Sequence, residues 1–383
     1  MPAAARAGTP ASAVPLAPGR AAGLPPPRRA AGRRGYNGAR SVTGARGRHE
    51  KKESPMFQSA TLADLPAFVC GHAQDAEAGT GCTVLVAPEG ATCGVDVRGG
   101  GPATRETDLL KPENMVEQVH AVVISGGSAF GLAAATGVMD ELSERGIGFA
   151  MGDIHVPIVV GACLFDLACG QNAHPDADMG RAAARAAFEA GPGAALAEGN
   201  VGAGCGATVG KLLGNERAMK TGVGVCGKRL GEVVCVAIAA ANALGNVRDA
   251  QGRWLAGCRG ADGAVMDSLE AFEAAMAAMD AEAAQAEETP CTNTTLGVVL
   301  TNARLTKAQA TKCSSTTHDA YARAIKPVHS SNDGDTIFTF ASGEVEANPD
   351  LVAVLATEAM QGAIERSATQ AQGAFGLPAC RDL

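Results

Sequence analysis

The sequence predicts an α+β fold in which sheets are sandwiched between layers of helix. Three observations lead there. Short apolar, β-branched runs bounded by glycine alternate with alanine-rich stretches of helical pattern. Hydrophobic residues fill 46% of the 383 positions but aromatic residues only 3%, so the core must be built from Ala, Val, Leu and Ile. The 49 glycines then allow backbones to approach closely. The length fits one large domain or two ordinary ones, and no repeat of fixed period is visible.

The elements follow in order. Residues 1–55 carry nine Arg between Arg6 and Arg48, many Ala, Pro and Gly, and no acid before Glu50. Such a stretch cannot build a core and is read as a disordered basic extension. It is a targeting segment, a basic tail, or sequence upstream of a true start at Met56. The last is favoured, because no apolar secretory core is present. A single domain, 56–383, is expected, its folded part beginning near Leu62. Strands are predicted at Val84–Ala87 and His120–Ser125. The latter runs into Gly126-Gly127 and a helix from Phe130 to Leu142. Val156–Leu164 is an apolar run broken at Gly161, and Ala177–Ala190 is a helix. Glu232–Ala239 is a strand followed by a turn at Asn242–Gly245. Met266–Glu288 is acidic and helical in pattern and ends in Glu288-Thr289-Pro290, as a solvated helix or linker would. Strands follow at Thr295–Thr301 and Thr336–Phe340. Asn348 caps a last helix with Pro349 at its first position, running to about Gln372.

Several function classes are excluded. A net charge of −8 argues against a nucleic-acid partner. No stretch of ~20 apolar residues is present, so no membrane span is predicted. The 12 cysteines show no C-x-x-C pair, which speaks against zinc and for buried thiols in a reducing cytoplasm. Asp333-Gly334-Asp335 opens like a calcium loop but lacks the remaining acid ligands. Gly126-Gly127-x-x-x-Gly131 fails the dinucleotide spacing and suits a tight strand-to-helix turn instead. No metal or organic cofactor is expected.

The chemistry points to Asn293-Thr294-Thr295, at the entry to a strong strand. A hydroxyl is a weak nucleophile and needs a base. A chain-terminal Thr carries its own base, an α-amine with a pKa near ~7.7–8. Attack of the Thr294 hydroxyl on the Asn293 carbonyl would free that amine. Taken alone, the tripeptide is an ordinary turn into a strand.

The wider sequence resembles the L-aminopeptidase/D-esterase family, which includes β-aminopeptidases and nylon-oligomer hydrolases. The resemblance runs from about Gly90 to the C-terminus. It rests on Gly94-Val95-Asp96-Val97-Arg98-Gly99-Gly100, Ser125-Gly126-Gly127-Ser128-Ala129-Phe130-Gly131-Leu132 and Gly199-Asn200-Val201-Gly202-Ala203-Gly204. Asn242-Ala243-Leu244-Gly245, Asn293-Thr294-Thr295 and Asp333-Gly334-Asp335-Thr336 complete it. It implies a four-layer αββα sandwich, like that of N-terminal-nucleophile hydrolases but with its own connectivity. It also implies self-cleavage into a large part, 56–293, and a small part, 294–383.

The branch with Thr after Asn, the 6-aminohexanoate-oligomer hydrolases, is most similar. In that branch Lys211, Asn242, Asp333 and Asp335 match site residues. By resemblance, Lys211 keeps the amine a free base or steadies the oxyanion. Asn242 donates to the oxyanion, an effect worth ~3–4 kcal/mol. Asp333 and Asp335 orient the amine and Lys211. Gly127, Ser128, Phe130 and Phe165 are expected at the substrate pocket. Phe165 stands where that branch carries a Tyr hydroxyl, and Phe cannot donate a hydrogen bond. The implied activity is hydrolysis of small peptides, amino-acid amides or ω-amino-acid oligomers by a homo-oligomer of four or more protomers. Acyl transfer of the ornithine acetyltransferase kind, and a self-cleaving scaffold without turnover, are the alternatives.

Overall fold

The computed structural model describes residues 57–282 and 293–383. The readings of the basic extension and of the Glu288-Thr289-Pro290 linker fall outside these residues. In chain order the main elements are β1 (Gln58–Ala60), β2 (Val69–Asp75), β3 (Thr80–Val97), β4 (Ala103–Arg105), β5 (Val119–Ser125), α1 (Ala134–Glu144), β6 (Val159–Cys163), α2 (Ala177–Ala190), β7 (Val223–Leu230), β8 (Val233–Asn242), α3 (Ser268–Glu282), β9 (Thr294–Ala303), α4 (Lys307–Ala324), β10 (Thr336–Val345) and α5 (Pro349–Thr369).

The strands run in the order β1-β7-β8-β9-β10-β3-β5-β6-β4, with β2 also on β3. The long strand β3 turns this path into two layers. Its second half, Thr92–Val97, pairs with β10, and its first half with β2 and β5. The register breaks between Val86 and Ala91, where the strand leaves one sheet for the other.

Alternation along the strands then assigns three apolar layers. Val236, Ile238, Leu296, Val298 and Phe338 of one sheet meet Leu85, Val122, Ile124 and Val160 of the other. The outer face of the first sheet, with Ala237, Ala239, Val299 and Ile337, lies against α4 and α5 through Tyr321, Leu355 and Met360. The outer face of the second, with Val84, Val123 and Val159, lies against α1 and α2 through Val138, Leu142 and Ala183. The result is the expected αββα sandwich.

Local signals explain several helix starts. Asp176 caps α2 by accepting from the Met179 amide at 2.9 Å, and Asn348 caps α5 by accepting from Asp350 at 2.8 Å. Three boundaries differ from expectation. The folded part already begins in β1, ahead of Leu62. The helix expected from Phe130 opens as a 3-10 stretch, Ser128–Ala133, before α1. Gly161 does not break its run but lies inside β6, where a Cβ would stand 2.6 Å from the Val123 carbonyl oxygen.

Candidate active site

Strand register builds the site. Asn242, the last residue of β8, lies opposite Thr294, the first of β9. Directly opposed residues share a face, and Leu296 and Val298 mark it as the face between the sheets. β9 also runs parallel to β10, with Leu296 beside Thr336, so two residues back Gly334 comes beside Thr294. The site therefore sits at one rim of the inter-sheet layer. Asn293 and Thr294 are buried there, at 2% and 3% exposure.

The bond between them is held in a particular way. The Thr294 hydroxyl donates to the Asn293 carbonyl oxygen. The same oxygen accepts from the Gly334 amide at 3.0 Å. A Cβ on residue 334 would stand 2.6 Å from Thr294 Oγ1, so only glycine leaves the hydroxyl its place.

Asn242 is fully buried and its amide orientation is fixed from both ends. Oδ1 accepts from the Thr208 amide at 3.0 Å and from Lys211 Nζ at 2.8 Å. Nδ2 donates to the Phe165 carbonyl at 2.7 Å, which leaves one N–H of the amide for another acceptor. Lys211 also donates to the Asn242 carbonyl at 3.1 Å. Its backbone is tied to the turn after β8, Lys211 to Leu244 at 3.1 Å and Gly210 to Gly245 at 3.0 Å. Two segments distant in sequence thus meet, while their glycines make room for others: a Cβ at Gly210 would stand 2.0 Å from the Cys258 nitrogen, and one at Gly245 2.1 Å from the Pro327 carbonyl oxygen. Asn242 itself closes the strand rather than opening the turn.

Asp333 and Asp335 belong to one loop but take different partners. Asp333 accepts from the Ser330 amide and hydroxyl at 2.8 and 2.5 Å. Burial, and then the charge of Asp335, push its carboxyl above the usual range. Asp335 Oδ1 accepts from the Thr295 amide at 2.7 Å, and Oδ2 accepts from His329 Nδ1 at 2.8 Å. The segment Arg98–Gly101 lies along this loop. Arg98 donates to the Asp335 carbonyl at 2.9 Å and Gly101 to that of Asp333 at 2.8 Å. Close contact therefore accounts for the glycines at 99 and 100.

A cleft of about 20 Å³ opens beside Asn242, lined by Phe165, Asp166, Cys169, Thr208, Lys211 and Asn215. It holds about one water. Gly127 reaches this lining through Asp166, whose Oδ1 accepts from the Gly127 amide at 2.6 Å. Ser128 donates its amide to Leu164 at 2.8 Å. Phe130 lies apart from this lining, 63% exposed and stacked on His174. Asp166, Gly334 and His329 have roles here that the sequence reading did not assign. Asp166 adjoins Phe165, and burial pushes its carboxyl up to about 6. The sequence signal for Gly334 was its place between the two Asp.

The sequence profile of Peptidase family S58 matches residues 60–375. The chain belongs to peptidase family S58. An uncharacterized aminopeptidase of Mycobacterium tuberculosis is 38% identical over 350 residues, covering 84% of this chain and 97% of the relative. A 6-aminohexanoate-oligomer endohydrolase of Paenarthrobacter ureafaciens is 31% identical over 293 residues, covering 74% of this chain and 75% of the relative. Among solved structures, a Burkholderia sp. β-aminopeptidase superposes with a TM-score of 0.59 at 19% identity, covering 85% of this chain and 92% of the other. The L-aminopeptidase D-Ala-esterase/amidase of Ochrobactrum anthropi, described as a variant of the Ntn hydrolase fold, gives 0.59 at 16% identity over the same shares. These two likenesses establish the fold. Membership in family S58 makes the chain a hydrolase of a peptidase family.

Proposed function

We propose that this S58 member cuts itself between Asn293 and Thr294 and then works as an amidohydrolase through an acyl ester on Thr294. One observation carries the reading. The Thr294 hydroxyl lies on the Asn293 carbonyl, whose oxygen already accepts from the Gly334 amide at 3.0 Å.

The chemistry balances as follows. Thr294 Oγ bonds to the Asn293 carbonyl carbon, and the oxygen becomes an oxyanion facing the Gly334 N–H. The C–N bond breaks, the nitrogen takes the proton that Oγ gave up and becomes the Thr294 amine, and an Asn293–Thr294 ester remains. Water hydrolyses the ester, giving the Asn293 carboxylate and a free Thr294. In turnover the amine accepts the Oγ proton as Oγ attacks a substrate amide. The leaving amine takes that proton. A water deprotonated by the same amine then hydrolyses the acyl ester. The free N–H of Asn242 is the donor proposed for the substrate oxyanion. Lys211 holds the Asn242 amide in the orientation that offers it.

The substrates proposed are small amides: N-terminal residues of short peptides, amino-acid amides or ω-amino-acid oligomers. The names of the aminopeptidase and oligomer-endohydrolase relatives support this class. The Asn293 carbonyl lies on the Thr294 hydroxyl while the bond is whole, so the released Asn293 end must move away before a substrate carbonyl takes its place.

Intact-mass measurement of the purified protein tests the reading. A fragment beginning at Thr294 is expected, and Thr294→Ala should abolish both the cut and the hydrolysis of amino-acid p-nitroanilides. A chain that stays whole under all conditions would refute it.

A further inference from the structure

His329 carries no role in the reading above, yet it is the group that grips Asp335. Its ring Nδ1 lies 2.8 Å from Asp335 Oδ2, and its own amide donates to the same oxygen at 3.1 Å. A carboxylate only accepts, so Nδ1 carries the proton in this contact. The other Asp335 oxygen accepts from the Thr295 amide at 2.7 Å. Tyr321 donates to the Thr295 carbonyl at 3.3 Å from the far side. Thr295, the residue that follows the nucleophile, is thus held at both its N–H and its C=O.

The ring is placed with some cost. His329 has a φ of +58°, in the left-handed region that favours glycine and that Asn, Asp and His enter more often than other residues. Its ring stacks on Tyr321 at 5.9 Å and meets His318 edge-on at 4.8 Å. His318 is fully buried and turned by its Nε2 contact with the Asp96 carbonyl at 3.0 Å. Burial holds His318 down to about 4, so it stands beside His329 as a neutral ring at ordinary pH.

We propose that His329 is a positioning residue for the nucleophile. Its Nδ1–H fixes the Asp335 carboxylate, and that carboxylate fixes the Thr294–Thr295 backbone at the strand entry. The titratable and charged groups around it are Asp335 and Asp333 of its own loop, His318 and Tyr321 of α4, and Asp96 and Arg98 at the end of β3.

The inference rests on the Thr294 reading, and the cut itself is the readout because it needs no substrate. Full-length chain made by cell-free translation is followed by mass spectrometry from pH 5 to 9. His329→Gly keeps the left-handed backbone and removes the donor. His329→Asn keeps that backbone and offers an N–H at the place of Nδ1. His329→Gly is expected to cut at least about tenfold more slowly. His329→Asn should recover most of the rate.

Equal rates for His329→Gly and the unsubstituted chain would overturn the proposal, as would equal losses in both variants. A second measurement covers a His329→Gly chain that fails to fold. The Thr294→Ala precursor should show a strongly downfield ring N–H resonance that disappears in the added His329→Asn change, and its absence would also overturn the proposal. If the unsubstituted chain never cuts, the Thr294 reading falls and takes this one with it. If it cuts and the variants match it, only the role of His329 falls.

Discussion

At residue 334 a single methyl group would come within 2.6 Å of the Thr294 hydroxyl. Gly334→Ala should therefore fold but cut at least about a hundredfold more slowly, as expected when an oxyanion donor is displaced. A time course of fragment appearance, with circular dichroism as the control, checks it. Lys220 makes the opposite case. It is fully buried and donates to the carbonyls of Gly204, Ala207 and Thr221 at 3.0, 2.9 and 2.5 Å. Burial lowers its pKa to about 8 from 10.5. Between these values the unfolded chain binds more protons, so the contribution of Lys220 to stability rises as pH rises through that window. Lys220→Met leaves buried carbonyls unsatisfied at ~1–3 kcal/mol each, so Tm should fall clearly at pH 7.5. The deficit should widen toward pH 10, which thermal melts can follow. Thr294, Lys211, Asn242, Asp333 and Asp335 were legible in the sequence as candidates because their types suit the chemistry and motifs surround them. His329 and Lys220 were not. What they do depends on a carboxylate and three carbonyls that only the folded chain brings to them.

Among the elements, α1 and α2 show how small residues and one buried charge act together. Gly137 of α1 would place a Cβ 1.7 Å from the Ala177 carbonyl oxygen, and Gly180 of α2 one 1.9 Å from that of Ala134. The two backbones touch where side chains normally stand. Next to this contact Glu141, with 5% of its side chain exposed, takes Arg145 and Arg185 at 2.8 Å each. Burial alone would raise its carboxyl, but the two guanidiniums outweigh that and hold it below the usual range. The stability it contributes is then present above the unfolded pKa and is lost as pH falls through the folded one. Glu141→Gln should lower Tm at pH 7, and the difference should shrink in melts taken at pH values progressively below ~4.3, the unfolded value. Helices α2 and α5 were readable from their caps and periodicity. Helix α4 was not, because its buried positions include Ser314, Thr317 and His318, which leave no apolar stripe. Strands β2 and β7 were missed for a related reason, since Gly71, Gly224 and Gly227 interrupt their apolar pattern.

For the molecule as a whole, alternation of elements in the sequence suggested helical layers around sheets, and resemblance supplied the four-layer order. The strand path was not legible, because nothing in the sequence of β3 announces that one strand serves two sheets. That path has β9 and β10 side by side between β8 and β3. A cut at Asn293–Thr294 would therefore leave the small part, 294–383, paired on both flanks with the large one. Eight residue pairs join β8 to β9 and six join β10 to β3. The two fragments should co-elute in native gel filtration and separate only in denaturant. The seamless sheet has a further consequence. While the chain is whole, the tether holds the two middle strands at a high effective concentration near their gap. Once it is severed, any complete unfolding turns an intramolecular search into a meeting of strangers, each carrying unpaired strand edges prone to aggregate. The Thr294→Ala precursor should thus refold after heating while the cut protein does not. Maturation would then be a ratchet, spending the means of refolding to gain a catalyst.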